Sequence, residues 1–174
     1  MPTRALPDEE PQPTASLPLS IDRKFRPWRY SVSHSELRLR SVDPVSVPDV
    51  VEVSFYGVAG LKLKTVYRSL TLALAEPARV EEMLRFSDVE ESHSSRVHCL
   101  ALKSDNGDGW VACLSYSIWS HPRGADDSAP RHRDSTLILR GGSDEPRRRR
   151  RGEFRRVVLS VVPVTRRDGT GYAR

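Results

Sequence analysis

Residues 96–119 constrain this chain most, because they carry its densest apolar alternation and both of its cysteines. They read as one β-hairpin. His98, Leu100 and Leu102 share one face of the first strand, and Trp110, Ala112, Leu114, Tyr116 and Ile118 share one face of the second. If these two sets form a single face the register is even-numbered, since a slip of one residue turns one set to solvent. Asp105-Asn106-Gly107 then serves as a three-residue loop with Gly107 at the position that needs φ > 0. That register pairs Leu102 with Trp110 and Leu100 with Ala112, and it sets Cys99 directly across from Cys113 on the opposite face. Each large apolar side chain buried in this way contributes about 1.5 to 3 kcal/mol, so the hairpin anchors a core but needs further strands to cover it.

Those strands are legible elsewhere. Trp28, Tyr30 and Val32 alternate, and Leu37 and Leu39 resume one residue out of phase, which predicts a bulge or tight bend around 33–36. Val51, Val53 and Phe55 alternate up to Gly57, a turn over 57–60 leads into Leu61 and Leu63, and Leu70, Leu72 and Leu74 follow, which reads as a meander. Lys62 and Lys64 face away from the leucines and keep one side of the sheet in water. One helix is expected over about 77–86, with Pro77 in its first turn, Val80, Met83 and Leu84 on one face and Glu81 able to pair with Arg85 on another. It should cap one side of the sheet, with 88–95 as an acidic, serine-rich loop. The expected fold class is α+β, mainly antiparallel β: a single small sheet-rich domain of meander and hairpins with one short helix, with barrel and sandwich both open.

A length of 174 residues suits one domain, and a hydrophobic content of 37% says that part of the chain stays outside the core. Residues 1–20 hold five prolines and read as a disordered leader, 21–120 as the folded β-rich domain, and 121–174 as a disordered Arg-rich tail. Within that tail, the β-prone stretch 154–164 is interrupted by Pro163 and reads as weakly structured or unstructured. The formal net charge of +5 divides unevenly: residues 1–120 hold 14 Lys and Arg against 16 Asp and Glu, and residues 121–174 hold 14 against 7. Arginine makes up 24 of the 28 basic residues, a bias that GC-rich coding produces without selection for function. No run of 18 apolar residues spans a membrane and the first residues lack a signal-peptide core, so the expected location is cytoplasmic, with free thiols. The inferred opposition of Cys99 and Cys113 leaves a thiol pair, as a disulfide or redox couple, open.

Several motifs fail on their context. Gly107-Asp108-Gly109-Trp110-Val111-Ala112 matches G-x-G-x-x-A but opens a strand, whereas the dinucleotide fingerprint opens a helix. The acidic stretch 105–109 lacks EF-hand spacing. His93, His98, Cys99, Cys113 and His121 are zinc-ligand types without zinc-ligand spacing. Ser33-His34-Ser35-Glu36 fits a capping box, yet strand periodicity follows it, and His34 among serines has no orienting partner in sequence. No catalytic residue, metal or cofactor is expected.

The string Trp28-x-Tyr30-x-Val32-Ser33-His34-Ser35-Glu36-Leu37-x-Leu39-Arg40-Ser41, followed by Phe55-x-Gly57-Val58-x-x-Leu61-x-Leu63, resembles small actinobacterial proteins of the Streptomyces type. The resemblance covers about residues 25–119 and implies no activity, since those proteins carry none that is assigned. The stretch after His121 is not part of it, which leaves a lineage-specific extension or a shifted reading frame open.

With no reaction centre in view, the expected function is a non-enzymatic interaction module with a protein partner and no membrane contact. The alternative is contact with nucleic acid or an acidic partner through Arg147, Arg148, Arg149, Arg150 and Arg151, with Arg155 and Arg156 beside them. No aromatic residue interleaves that run, so such binding would be non-specific and salt-sensitive.

Overall fold

The computed structural model describes residues 15–124 and 135–142, together with the backbone of 158–162. The strands divide between two sheets, in consecutive groups. The elements are β1 (Leu19–Ile21), β2 (Phe25–Ser31), a 3-10 turn (Val32–His34), β3 (Glu36–Ser41), β4 (Asp49–Tyr56), β5 (Gly60–Lys64) and β6 (Leu70–Leu74). Helices α1 (Pro77–Phe86) and α2 (Glu91–Ser94) follow, then β7 (His98–Lys103), β8 (Gly109–Cys113), β9 (Ser115–Pro122), β10 (Thr136–Gly142) and β11 (Val158–Val162). The first sheet has the order β1-β6-β7-β8-β5-β11 and the second β10-β9-β4-β3-β2. All pairings are antiparallel except β11 with β5. This is the mixed, mainly antiparallel α+β class expected.

Phe25, Leu37, Leu39, Val53 and Phe55 from the second sheet share one buried cluster with Leu61, Leu72, Leu100, Leu102 and Val111 from the first. The sheets are therefore two layers over a common core, and corners join them. β4 passes into β5 through 57–59, and β8 passes into β9 at Leu114. The two corners are hydrogen-bonded to each other, Leu114 N–H donating to Tyr56 O (3.0 Å) and Ala59 N–H to Ala112 O (2.9 Å). Strands that switch sheets at a bend are one established way of closing a two-layer β fold. Gly57 makes the bend with φ +60°, a left-handed conformation that costs a residue with a Cβ. On the far side Phe25 and Tyr67 exchange both backbone hydrogen bonds (2.8 Å each), which ties β2 to the loop before β6.

Helix α1 forms where the apolar spacing and Pro77 place it, and it lies on the other face of the first sheet. There Met83, with Val80 and Leu84 beside it, meets Cys99, Trp110 and Ala112. Segment 88–95, expected as a loop, contains the single turn α2.

The meander is corrected. β4 and β5 lie in different sheets, and β6 pairs with β1 and β7 rather than β5. The hairpin register is corrected as well. Leu102 faces Gly109, Leu100 faces Val111, Cys99 faces Ala112 and His98 faces Cys113, one residue from the expected pairing. The reason is that β8 is buried at every position, sheet-side and helix-side, so its alternation does not mark one inward face. The connection is also longer than expected, residues 104–108. Asn106 is fixed there by donating to Val66 O (3.0 Å) and accepting from the Ser104 hydroxyl (2.7 Å), and Gly107 has φ +114°.

Two expected boundaries move outward. β1 lies partly within the 1–20 leader, and Ala15 N–H donates to Ile138 O (3.0 Å). The expectation of disorder throughout 121–174 also fails for β10, which pairs along β9 and buries Leu137 and Leu139, and for the backbone of β11.

Candidate functional site

β2 and β3 form a hairpin at the edge of the second sheet, closed by the 3-10 turn and by Ser35 in a left-handed conformation (φ 46°, ψ 44°). Phe25, Leu37 and Leu39 point into the core. The intervening positions put Arg26 opposite Arg40, Arg29 opposite Arg38 and Ser31 opposite Glu36 on the outer face. A register shift between Pro27 and Arg29 breaks the alternation, so Trp28 stands in a bulge and is 45% exposed. Trp28, Tyr30 and Val32 were expected to share one face. Only Tyr30 packs against the core, and Val32, in the turn, is 76% exposed.

On this face Arg38 is the centre of an ion-pair network. Its Nε donates to Glu36 Oε1 (2.7 Å), and its Nη1 lies 3.5 Å from Glu52 Oε1, which also accepts from the Ser54 hydroxyl (3.3 Å). Burial works against the Arg38 charge, yet the Glu36 hydrogen bond and the two carboxylate charges hold its pKa above the ordinary arginine value. The Arg40 guanidinium sits 4.8 Å from the centre of the Trp28 ring, a cation–π contact. Arg29, Ser31, His34, Glu36 and Arg38 line an open depression of about 180 Å³. His34 Nδ1 is bonded to the Ser33 hydroxyl (2.8 Å) and the Ser31 hydroxyl (3.1 Å). Both contacts fall on the same ring nitrogen, and no carboxylate among the described residues bonds the ring to orient it. A serine–histidine nucleophile depends on that third group.

The other expected sites come apart. Cys99 and Cys113 are free thiols on opposite faces of the first sheet, Cys113 toward the inter-sheet core and Cys99 toward α1, which corrects their direct opposition. Burial pushes the Cys99 thiol up to about 11 and Cys113 higher still, so both are held protonated and poorly nucleophilic. His98 packs edge-on to Tyr116, and burial lowers its pKa. His121 bonds the Ser135 hydroxyl through Nδ1 (2.7 Å) and stacks on Trp119. His93 lies 3.7 Å from Glu90. Among the described residues no three His, Cys, Asp or Glu side chains gather as metal ligands would, and no helix is long and apolar enough to cross a membrane. Arg147 to Arg151, Arg155 and Arg156 lie outside the described residues.

A second polar cluster has a structural role. Arg23 bridges Asp43 (3.4 Å) and Asp49 (3.0 Å), Ser120 donates to Asp49 (2.6 Å), and Arg123 donates to the carbonyls of Asp43, Pro44 and Val47. Together they pin the loop between β3 and β4.

No protein-family model, curated protein or solved structure matches the chain. The sequence marks His34 with its serines, and Glu36 only as the end of a capping-box pattern, but neither Arg29 nor Arg38. The signal was present in the spacing: 29 and 31 on one strand and 36 and 38 on the next share a face once the turn is placed at 32–35.

Proposed function

We propose that this chain is a non-enzymatic cytoplasmic interaction module that meets a protein partner through the outer face of the β2–β3 hairpin. The observation that carries the reading is Trp28, a large aromatic held half-exposed in a bulge under Arg40 and beside Arg26 and Arg29. Tryptophan and arginine are the side chains most enriched among residues that dominate binding energy, and an aromatic fixed by a cation–π contact loses little freedom on docking. The bulge and Pro27 also blunt β2 against uncontrolled edge pairing, so recognition here rests on side chains. Two buried free thiols suit a reducing compartment.

Affinity capture with the full-length protein, with and without nuclease, tests the reading against the Trp28→Ala variant. The expected result is one stoichiometric protein that survives nuclease and is lost with Trp28→Ala. Capture that depends on intact nucleic acid and ignores Trp28 overturns it in favour of the arginines at 147–151.

A further inference from the structure

The depression on this face holds one cationic side chain, Arg29, that the hairpin's own bonding leaves unpaired. Arg29 and Arg38 are direct cross-strand neighbours, an arrangement of like charges that is unfavourable on its own. Glu36 and Glu52 offset Arg38, whereas Arg29 makes no ion pair with any described residue. The Ser33 hydroxyl takes the closer position on His34 Nδ1, and Ser31, which lines the depression, bonds Nδ1 at 3.1 Å and the Ser33 hydroxyl at 3.4 Å, contacts it would exchange for an anion. A guanidinium fork, a hydroxyl and an imidazole thus border one concavity with a charge left over on Arg29.

We propose that this depression binds a tetrahedral oxyanion of the phosphate monoester class, with Arg29, Ser31 and His34 as donors, and that its occupant is a phosphorylated side chain of the partner that docks on the same face. This rests on the hairpin face being the contact surface. Arginine binds phosphate through two parallel hydrogen bonds, and a phosphate monoester has a third free oxygen for a hydroxyl or a ring N–H, which a carboxylate lacks. Glu36 also lines the depression, where it repels any anion and keeps affinity for a free ion low. Contact of the surrounding peptide with Trp28 supplies the remainder.

The test is an NMR titration of the full-length protein with inorganic phosphate, O-phosphoserine, acetate and a short single-stranded oligonucleotide. It follows the Arg29 Nε–Hε, Ser31 and His34 signals. Phosphate and O-phosphoserine are expected to shift these signals saturably, with acetate weaker. Arg29→Ala should lower the phosphate affinity by about tenfold, the size expected for one bidentate charged contact, while Arg85→Ala on α1 leaves it unchanged. Equal binding of acetate, an unchanged affinity in Arg29→Ala, or tighter binding of the oligonucleotide than of O-phosphoserine overturns the proposal. If phosphate leaves the hairpin untouched while Trp28→Ala still loses the captured protein, the oxyanion site fails and the interaction face stands.

Discussion

Replacing Gly57 by alanine should disrupt the corner that carries β4 into β5, through two separable effects. The residue has φ +60°, and a left-handed conformation costs a residue with a Cβ about 1 to 2 kcal/mol. A Cβ built there would also lie 2.8 Å from Cγ and Cδ1 of Leu114 and 3.0 Å from its Cβ, at the facing corner. Overpacking of this kind costs about 1 to 3 kcal/mol. Gly57→Ala should therefore lose about 2 to 5 kcal/mol, a large part of the roughly 5 to 15 kcal/mol typical of a domain. Urea unfolding followed by the fluorescence of Trp110 and Trp119, both buried, reads the loss as a fall in midpoint at constant slope. Leu114→Ala removes the two contacts at 2.8 Å and leaves only its own Cβ at 3.0 Å. In that background Gly57→Ala should cost less, approaching the about 1 to 2 kcal/mol of the left-handed backbone, so the double-mutant cycle should show a coupling of up to about 3 kcal/mol. A Gly57→Ala cost below about 0.5 kcal/mol refutes the strained corner. An equal cost in both backgrounds refutes the contact with Leu114.

The Tyr30 hydroxyl is buried without a hydrogen-bond partner among the described residues, so Tyr30→Phe should raise stability by about 1 kcal/mol; a loss in the same urea assay would show that the hydroxyl has a partner. Stability should fall on acidification in two stages. Burial depresses the pKa of His98, so its contribution is complete above about pH 6.5 and declines below it as the unfolded chain takes up the proton first. Asp49, held low by its hydrogen bond from Ser120 and then by Arg23, contributes above about pH 4 and loses that contribution on further acidification. Urea midpoints in the His98→Phe variant should lack the first stage, and an unchanged decline between pH 7 and 5 would exclude His98 as its source. Cys99 and Cys113 should resist an aromatic disulfide reagent in native buffer and react together on unfolding, whereas rapid native labelling of either would contradict their burial.

Element types were legible wherever one periodicity ran unbroken. Val51, Val53 and Phe55 in β4, Leu70 and Leu72 in β6 and the spacing of Val80, Met83 and Leu84 in α1 each announce a face that packs inward, although Leu74, which continues the β6 alternation, is exposed. Register was not legible in β8, because Trp110 and Ala112 meet the helix while Val111 and Cys113 meet the other sheet. Nor was the change of sheet, since Leu114 shifts the phase between Cys113 and Tyr116 and the alternation reads through it as one strand. β10 was hidden for another reason: Leu137, Ile138 and Leu139 form a short apolar run without alternation, inside a stretch whose composition reads as tail. The outer face of the β2–β3 hairpin follows from spacing once its turn is located. The bulge that turns Trp28 outward does not, because it arises from pairing with β3 rather than from β2 alone.

The paired corners also set the mechanics of the domain. Two unbroken backbones, residues 49–64 and 109–122, run through both layers side by side, and the amides of Ala59 and Leu114 lock one to the other at the bend. Prising the layers apart would break this double seam along its whole length. Those two amides should therefore exchange with solvent only when the whole domain unfolds, and the layers should melt in a single cooperative step. A fold fastened in this way keeps its interior closed until the domain unfolds.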